Sequence, residues 1–317
     1  MTSIQNILIE QISVLETMSP IDFMEFRDYL YPASGFQSIQ FRLLENKLGL
    51  LNDARIQYGH RQYCTYLKPI DSDVVRQTEK EPNLFSLIEA WLERTPFLAL
   101  GDYTWWSEYK AAVEKMLETD EARIRTAEYL SESDKTVQLK DLQLTSTYFS
   151  SLFDEKKYQE LLERGDRRLS YKALQGALLI TLYNDEPILH IPYKLLTTII
   201  DIDELLTTWR YRHALMVQRM LGVKMGTGGS SGYHYLRSTA EKHKIFQDLV
   251  SLSTFIIPRH ALPPLPAPVR SQLAFHYQFD QRNGAEARSE RPAVTHIAPH
   301  PVPAGTSPDA KCPFGHS

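Results

Sequence analysis

Up to about residue 258, apolar side chains return every three or four positions, and no stretch alternates apolar and polar residues as a half-buried strand does. The first such stretch is Ile4, Ile7, Leu8, Ile12 and Leu15, which share one helix face. Proline shows where the pattern ends: 11 of the chain's 18 prolines lie from Pro258 onward. Segments such as "ALPPLPAPVR" and "HIAPHPVPAGTSPDA" sustain neither a helix nor a central strand. The expectation is therefore an all-α fold, with a helical core over residues 1–262 and a Pro-rich, disordered tail over residues 263–317. No internal repeat is visible.

Local start and stop signals divide the core. Ser19 is a candidate N-cap, with Pro20 at the first helical position and Asp22 in the positive first turn. "YPASGFQS" interrupts that helix, and the next one closes at Gly49. A polar, irregular stretch is expected from there to about residue 82. A helix beginning at Asn83 is stopped by Pro96, and the charged span from Tyr103 to Arg164 reads as two helices about a polar break. "RLSYKALQGALLITLY" has Ser170 as its cap and is apolar enough for the core. A long helix then ends at Gly222, and one last helix runs to Pro258.

Several function classes are disfavoured at once. The net charge of −4 gives nucleic-acid binding no support from bulk electrostatics. Cys64 and Cys312, the only two cysteines, form neither a disulfide framework nor a zinc-spacing pattern, which suits a reducing compartment. No apolar run approaches the roughly 20 residues of a membrane span. The N-terminus lacks a basic segment followed by a continuous apolar one. A soluble cytoplasmic protein with no nucleic-acid or membrane partner is expected.

Four stretches carry side chains suited to chemistry. "KMGTGGSSGYHYLRST" places four glycines between Gly226 and Gly232, but it lacks the lysine of a Walker loop and follows a helical pattern instead of a strand. It reads as a helix connector, or as a mobile loop offering Thr227, Ser230 or Ser231 to a ligand. "WRYRHALMVQRM" sets His213 one turn after Trp209 on an apolar helix. Such a histidine is either a core residue or a ligand, and as a ligand it fits haem iron better than zinc, which needs more protein donors than the neighbourhood offers. In "DFMEFRDYL", Phe23 and Arg27 share a helix face. They form either a packed aromatic beside a solvated arginine, or a pair that holds a planar carboxylate-bearing substrate. "CPFGH", at Cys312 to His316, lacks the spacing for covalent haem attachment and leaves only a minor haem-responsive reading.

In order along the chain, "LETMSPIDFMEFRDYLYPASGFQSIQFRLLENKLG", "EAWLERTP", "SLFDEKKY", "RRLSYKALQGALLI", "DIDELLTTWRYRHALMVQRMLG" and "GTGGSSGYHYLRST" closely resemble the tryptophan 2,3-dioxygenase family. The likeness runs from near Gln11 to His260. It implies a helical bundle of the tryptophan/indoleamine dioxygenase type and a cytoplasmic homotetramer. It also implies haem b as cofactor and insertion of O2 across the indole C2–C3 bond of L-tryptophan to give N-formylkynurenine, the first step of the kynurenine route of tryptophan catabolism.

Residue by residue, the resemblance puts His213 at the axial haem-iron ligand. Arg27 falls at the arginine for the substrate carboxylate, Phe23 at the aromatic that walls the indole, and Thr227 at the threonine meeting the amino-acid group. Ser34 falls in the substrate pocket, and Gly35, Trp209 and Tyr235 near the haem. The family's N-terminal portion, with its "H-Q-x-x-E-L-W-F"-like helix and distal-side histidine, has no counterpart here. No catalytic distal residue is therefore expected from this chain. The alternatives are a catalytically incomplete haem- or tryptophan-binding fragment, and a related oxygenase acting on a modified indole.

Overall fold

The computed structural model describes residues 2–29, 39–50, 67, 69–96, 98–100, 103–222, 233, 236, 237, 240 and 242–271, all within the unit Met1–Ala274. Helices dominate them. In order they are α1 (Thr2–Thr17), α2 (Pro20–Tyr29), α3 (Ile39–Leu48), α4 (Pro69–Glu79), α5 (Leu84–Leu92), α6 (Trp105–Thr126), α7 (Glu132–Phe153), α8 (Glu155–Glu163), α9 (Tyr171–Leu182), α10 (His190–Leu221) and α11 (Gln247–Ser251). The strands among the described residues are β1 (Ala99–Leu100) and β2 (Tyr103–Thr104), a two-residue antiparallel pair just before α6. None of the described helices is long and apolar enough to cross a membrane.

The signals for individual helices are realised in detail. Ser19 Oγ accepts the Asp22 amide at 3.2 Å, Asn83 Oδ1 that of Ser86 at 2.9 Å, and Ser170 Oγ that of Ala173 at 3.2 Å. Each satisfies an orphan donor at a helix start. Gly49 closes α3 at φ 103°, where a side chain would be strained. Gly222 caps α10.

Three expectations are corrected. The stretch before residue 82 contains α4, which turns Ser72 and Val75 inward and packs against α3. Its single narrow apolar contact is too small to dominate a mostly polar segment. The span from Tyr103 to Arg164 holds three helices, because Asp154 ends α7 and immediately caps α8 through the Lys156 and Lys157 amides. The last helical segment is broken at His243–Phe246. There the Asp203 carboxylate takes the amides of Ile245 and Phe246 at 3.0 and 2.9 Å, so those amides serve α10 and not a helix of their own.

The core is centred on α9, where Ala173, Leu174, Ala177, Leu178, Leu179 and Ile180 are buried, and on Leu196, Ile199, Ile202 and Leu206 of α10. Stacked Trp105 and Tyr109, with Trp106, Phe153 and Tyr171, extend it toward α7 and α8. Buried tyrosine hydroxyls pin later segments: Tyr158 donates to Leu169 O at 2.8 Å and Tyr183 to Pro263 O at 2.6 Å. Burial pushes the Tyr183 phenol up to about 12. Leu265 and Val269 also belong to this core.

Helices α5 and α9 approach so closely at Gly176 that an added Cβ would lie 2.5 Å from Leu92 O and 2.7 Å from Thr95 Oγ1. One obstacle is backbone and does not rotate away. Gly176→Ala is thus expected to lower the unfolding free energy by about 1–3 kcal/mol, even though alanine is the better helix former. Urea denaturation measures this, and a variant as stable as the wild type would show that the two helices separate without cost.

Candidate functional site

The 32-residue helix α10 is the element on which the candidate site residues converge. It packs against α1, α2, α9 and α11. Trp209, Arg210 and His213 occur together near its middle, where a wide apolar stripe must be covered by neighbours from both ends of the chain. The Trp209 ring lies between two others: Phe41 of α3 stacks on it at 4.3 Å, and His213, one turn on, sits at 5.1 Å tilted by 33°.

His213 is half-buried, and burial pushes its imidazole below the usual histidine range. At neutral pH it is therefore uncharged and keeps a nitrogen lone pair. None of the hydrogen bonds among the described residues reaches it. Among the same residues no group of three or more His, Cys, Asp and Glu could hold a metal ion. His213 thus stands as a single neutral imidazole donor.

Directly beside Trp209, a charged cluster is buried between α3 and α10. Arg210 donates to Glu45 Oε1 at 2.9 Å, Arg42 lies 3.2 Å from the other oxygen, and His243 Nδ1 is 3.3 Å from Oε1. Glu45 and Arg210 are 1% and 4% exposed, so solvent screens little of this. Burial alone would raise the Glu45 carboxyl. The hydrogen bond from His243 and the charges of Arg210 and Arg42 together outweigh it, and the group titrates below the usual glutamate range. Two arginines face one carboxylate, and Arg210 Nε and Nη1 have no hydrogen-bond partner among the described residues. The buried carboxylate of Asp203, two turns earlier on α10, also acts on Arg210.

Two further buried carboxylates hold backbone instead. Asp203 binds the Ile245–Phe246 amides, and Asp248 takes the Arg168 and Leu169 amides at 2.6 and 2.8 Å. Arg168 in turn reaches Ile245 O at 2.9 Å and Gly49 O at 2.6 Å and lies over the Phe85 ring. These contacts fix the chain after α3 and before α11 around the middle of α10.

The sequence-derived candidates divide as follows. Phe23 is half-buried on α2, with Arg27 one turn later on the same helix, and α2 packs against α10. The side chain of Arg27 lies outside the described residues, as do Ser34, Gly35, Thr227 and Tyr235. The structure joins Trp209 and His213 directly and sets their helix against the one bearing Phe23 and Arg27.

The Glu45 cluster and Asp203 escaped sequence reading. The available signal was a charge on an apolar stripe: Glu45 falls in register with Phe41 and Leu48, and Asp203 with Ile199 and Leu206.

Comparison with known proteins bears on the same region. The family model described as Tryptophan 2,3-dioxygenase matches residues 1–256. The protein of that name from Dictyostelium discoideum is 51% identical over 279 residues, which is 88% of this chain and 70% of the relative. Those from Alteromonas mediterranea and Bdellovibrio bacteriovorus are each 46% identical over 275 residues, 87% of this chain and 76% and 77% of theirs.

Proposed function

We propose, because this chain belongs to the tryptophan 2,3-dioxygenase family, that it inserts both atoms of O2 across the indole C2–C3 bond of L-tryptophan and yields N-formylkynurenine. The protein is an enzyme, an oxidoreductase of the dioxygenase class acting on tryptophan. The finer reading is of a cytoplasmic homotetramer that uses haem b and supplies the kynurenine route.

The observation that carries the cofactor reading is His213. A half-buried imidazole held neutral by burial, with no hydrogen bond among the described residues, has the donor that haem iron takes from a single histidine. The residues present therefore fit the group: His213 would hold the iron, and Trp209, Gly35 and Tyr235 would line it. When bound, ferrous haem supplies the dioxygen chemistry.

The chain's own residues orient the substrate. L-Tryptophan is a zwitterion with a large apolar ring. In this reading Arg27 pairs with its carboxylate, Thr227 meets its ammonium and carboxylate, and Phe23 and Ser34 line the pocket for the indole.

Purified protein loaded with haem, scanned with and without L-tryptophan and O2, should develop the absorbance of N-formylkynurenine only when all are present. Failure with intact haem binding would refute the reaction. In the active protein, Arg27→Ala is expected to raise the tryptophan KM by about 10–100-fold through loss of a charge-assisted pair. A wild-type KM in that variant would remove Arg27 from the substrate site.

A further inference from the structure

The turn between α1 and α2 is tied to α10 by an arginine that the functional reading has not used. Helix α1 ends at Thr17 with carbonyls that have no partner within the helix. Arg219, near the far end of α10, supplies them: Nη1 donates to Glu16 O and Nη2 to both Leu15 O and Met18 O, each at 3.0 Å. Its charge also complements the negative end of the α1 dipole. Two turns earlier on the same face of α10, Arg212 Nε contacts the Glu16 carboxylate at 2.8 Å. The two arginines thus hold one residue, Glu16, by its carbonyl and its carboxylate.

Helices α1 and α10 pack along their lengths, with Leu8 and Met216 buried. A cavity of about 330 Å³ opens there between Leu15 of α1 and Leu215 and Met216 of α10, beside Glu16 and the two arginines. What lies on either side of the grip matters more. Met18 leads directly into Ser19, which caps α2 and accepts the Phe23 amide at 3.1 Å. Phe23 and Arg27 follow on α2. His213 is the residue after Arg212 on α10. Arg219 therefore joins the start of the helix assigned to substrate to the helix assigned to the cofactor.

We propose that Arg219 is a positioning residue: by clasping the last carbonyls of α1 it sets the placement of α2, and so of Phe23 and Arg27, relative to His213. The proposal rests on the substrate reading of α2, and the clasp itself is testable without it. Arg219 and the Arg212–Glu16 pair are solvent-exposed, so their loss costs the fold little. A loosened α2 costs substrate orientation instead.

Two readouts decide the matter. In haem-loaded protein, Arg219→Ala should raise the L-tryptophan KM about tenfold with kcat within about twofold and an unchanged haem spectrum. In the haem-free protein, amide exchange over residues 18–29 should quicken about tenfold while that over residues 196–210 stays as in the wild type. Arg219→Lys keeps the charge but not the fork, so it should recover part of both effects. It also carries the test if the alanine variant does not fold. Unchanged exchange over residues 18–29 would overturn the clasp, and faster exchange with an unchanged KM would overturn its positioning role. A wild-type protein that binds haem but does not turn over tryptophan would refute the substrate reading alone, with exchange still reporting on the clasp.

Discussion

Replacing His213 with alanine should leave a folded protein that no longer shows a haem spectrum and no longer consumes tryptophan. The imidazole is the one side chain with a nitrogen lone pair that α10 presents beside Trp209, and a haem held by a single protein ligand loses its anchor with that ligand. The fold should survive because His213 contributes no hydrogen bond among the described residues and is half-buried, so truncation removes one ring contact from a helix fixed elsewhere by Leu196, Ile199, Ile202 and Leu206. Circular dichroism checks the fold, and haem titration followed by absorbance checks the ligand. Added imidazole should enter the space left by the ring and restore part of the spectrum. Haem binding as tight as in the wild type would refute the axial role.

The largest effect on stability is expected at Glu45. Alanine there leaves Arg42 and Arg210, both nearly inaccessible to water, without the carboxylate between them. Breaking a buried pair by removing one partner costs about 3–5 kcal/mol, because the remaining charge stays buried. Glu45→Ala should therefore lower the urea midpoint steeply. Acid should act on the wild type in the same direction. The folded Glu45 titrates below its unfolded value, so its contribution is present above about pH 4.5 and is lost as pH falls through the lowered folded value. The pH dependence of unfolding, compared between wild type and Glu45→Gln, isolates it. A loss below about 1 kcal/mol would show that the arginines are satisfied without the glutamate.

Local signals were legible where one residue decides. Ser19, Asn83 and Ser170 cap the helices they were expected to cap, and Gly49 and Gly222 end theirs. The pairing of Trp209 with His213 followed from one-turn spacing alone. Long-range polar contacts were not legible. Glu45 looks like any exposed helix charge until α10 covers it with Arg210, 165 positions away. The break before α11 depends on Asp203, whose pull on the Ile245 and Phe246 amides overrides a stretch of helical composition. Asp154 was missed for a related reason: one residue ends a helix and starts the next, and no loop separates them. The assignment of His213 to iron and of Arg27 to substrate came from resemblance, since spacing alone favours a core histidine and a solvated arginine.

The long sequence separations also govern how the protein comes off the ribosome. Gln5 bonds Asp201, Leu15 bonds Arg219 and Glu45 bonds Arg210, across 196, 204 and 165 positions. At a synthesis rate of about 5–20 residues per second, the first helices wait roughly 10–40 s for α10 to emerge. During that interval Leu8, buried in the finished fold on the helix that packs against α10, has no α10 to cover it. The long helix that carries Trp209 and His213 is thus made after most of the residues it packs against.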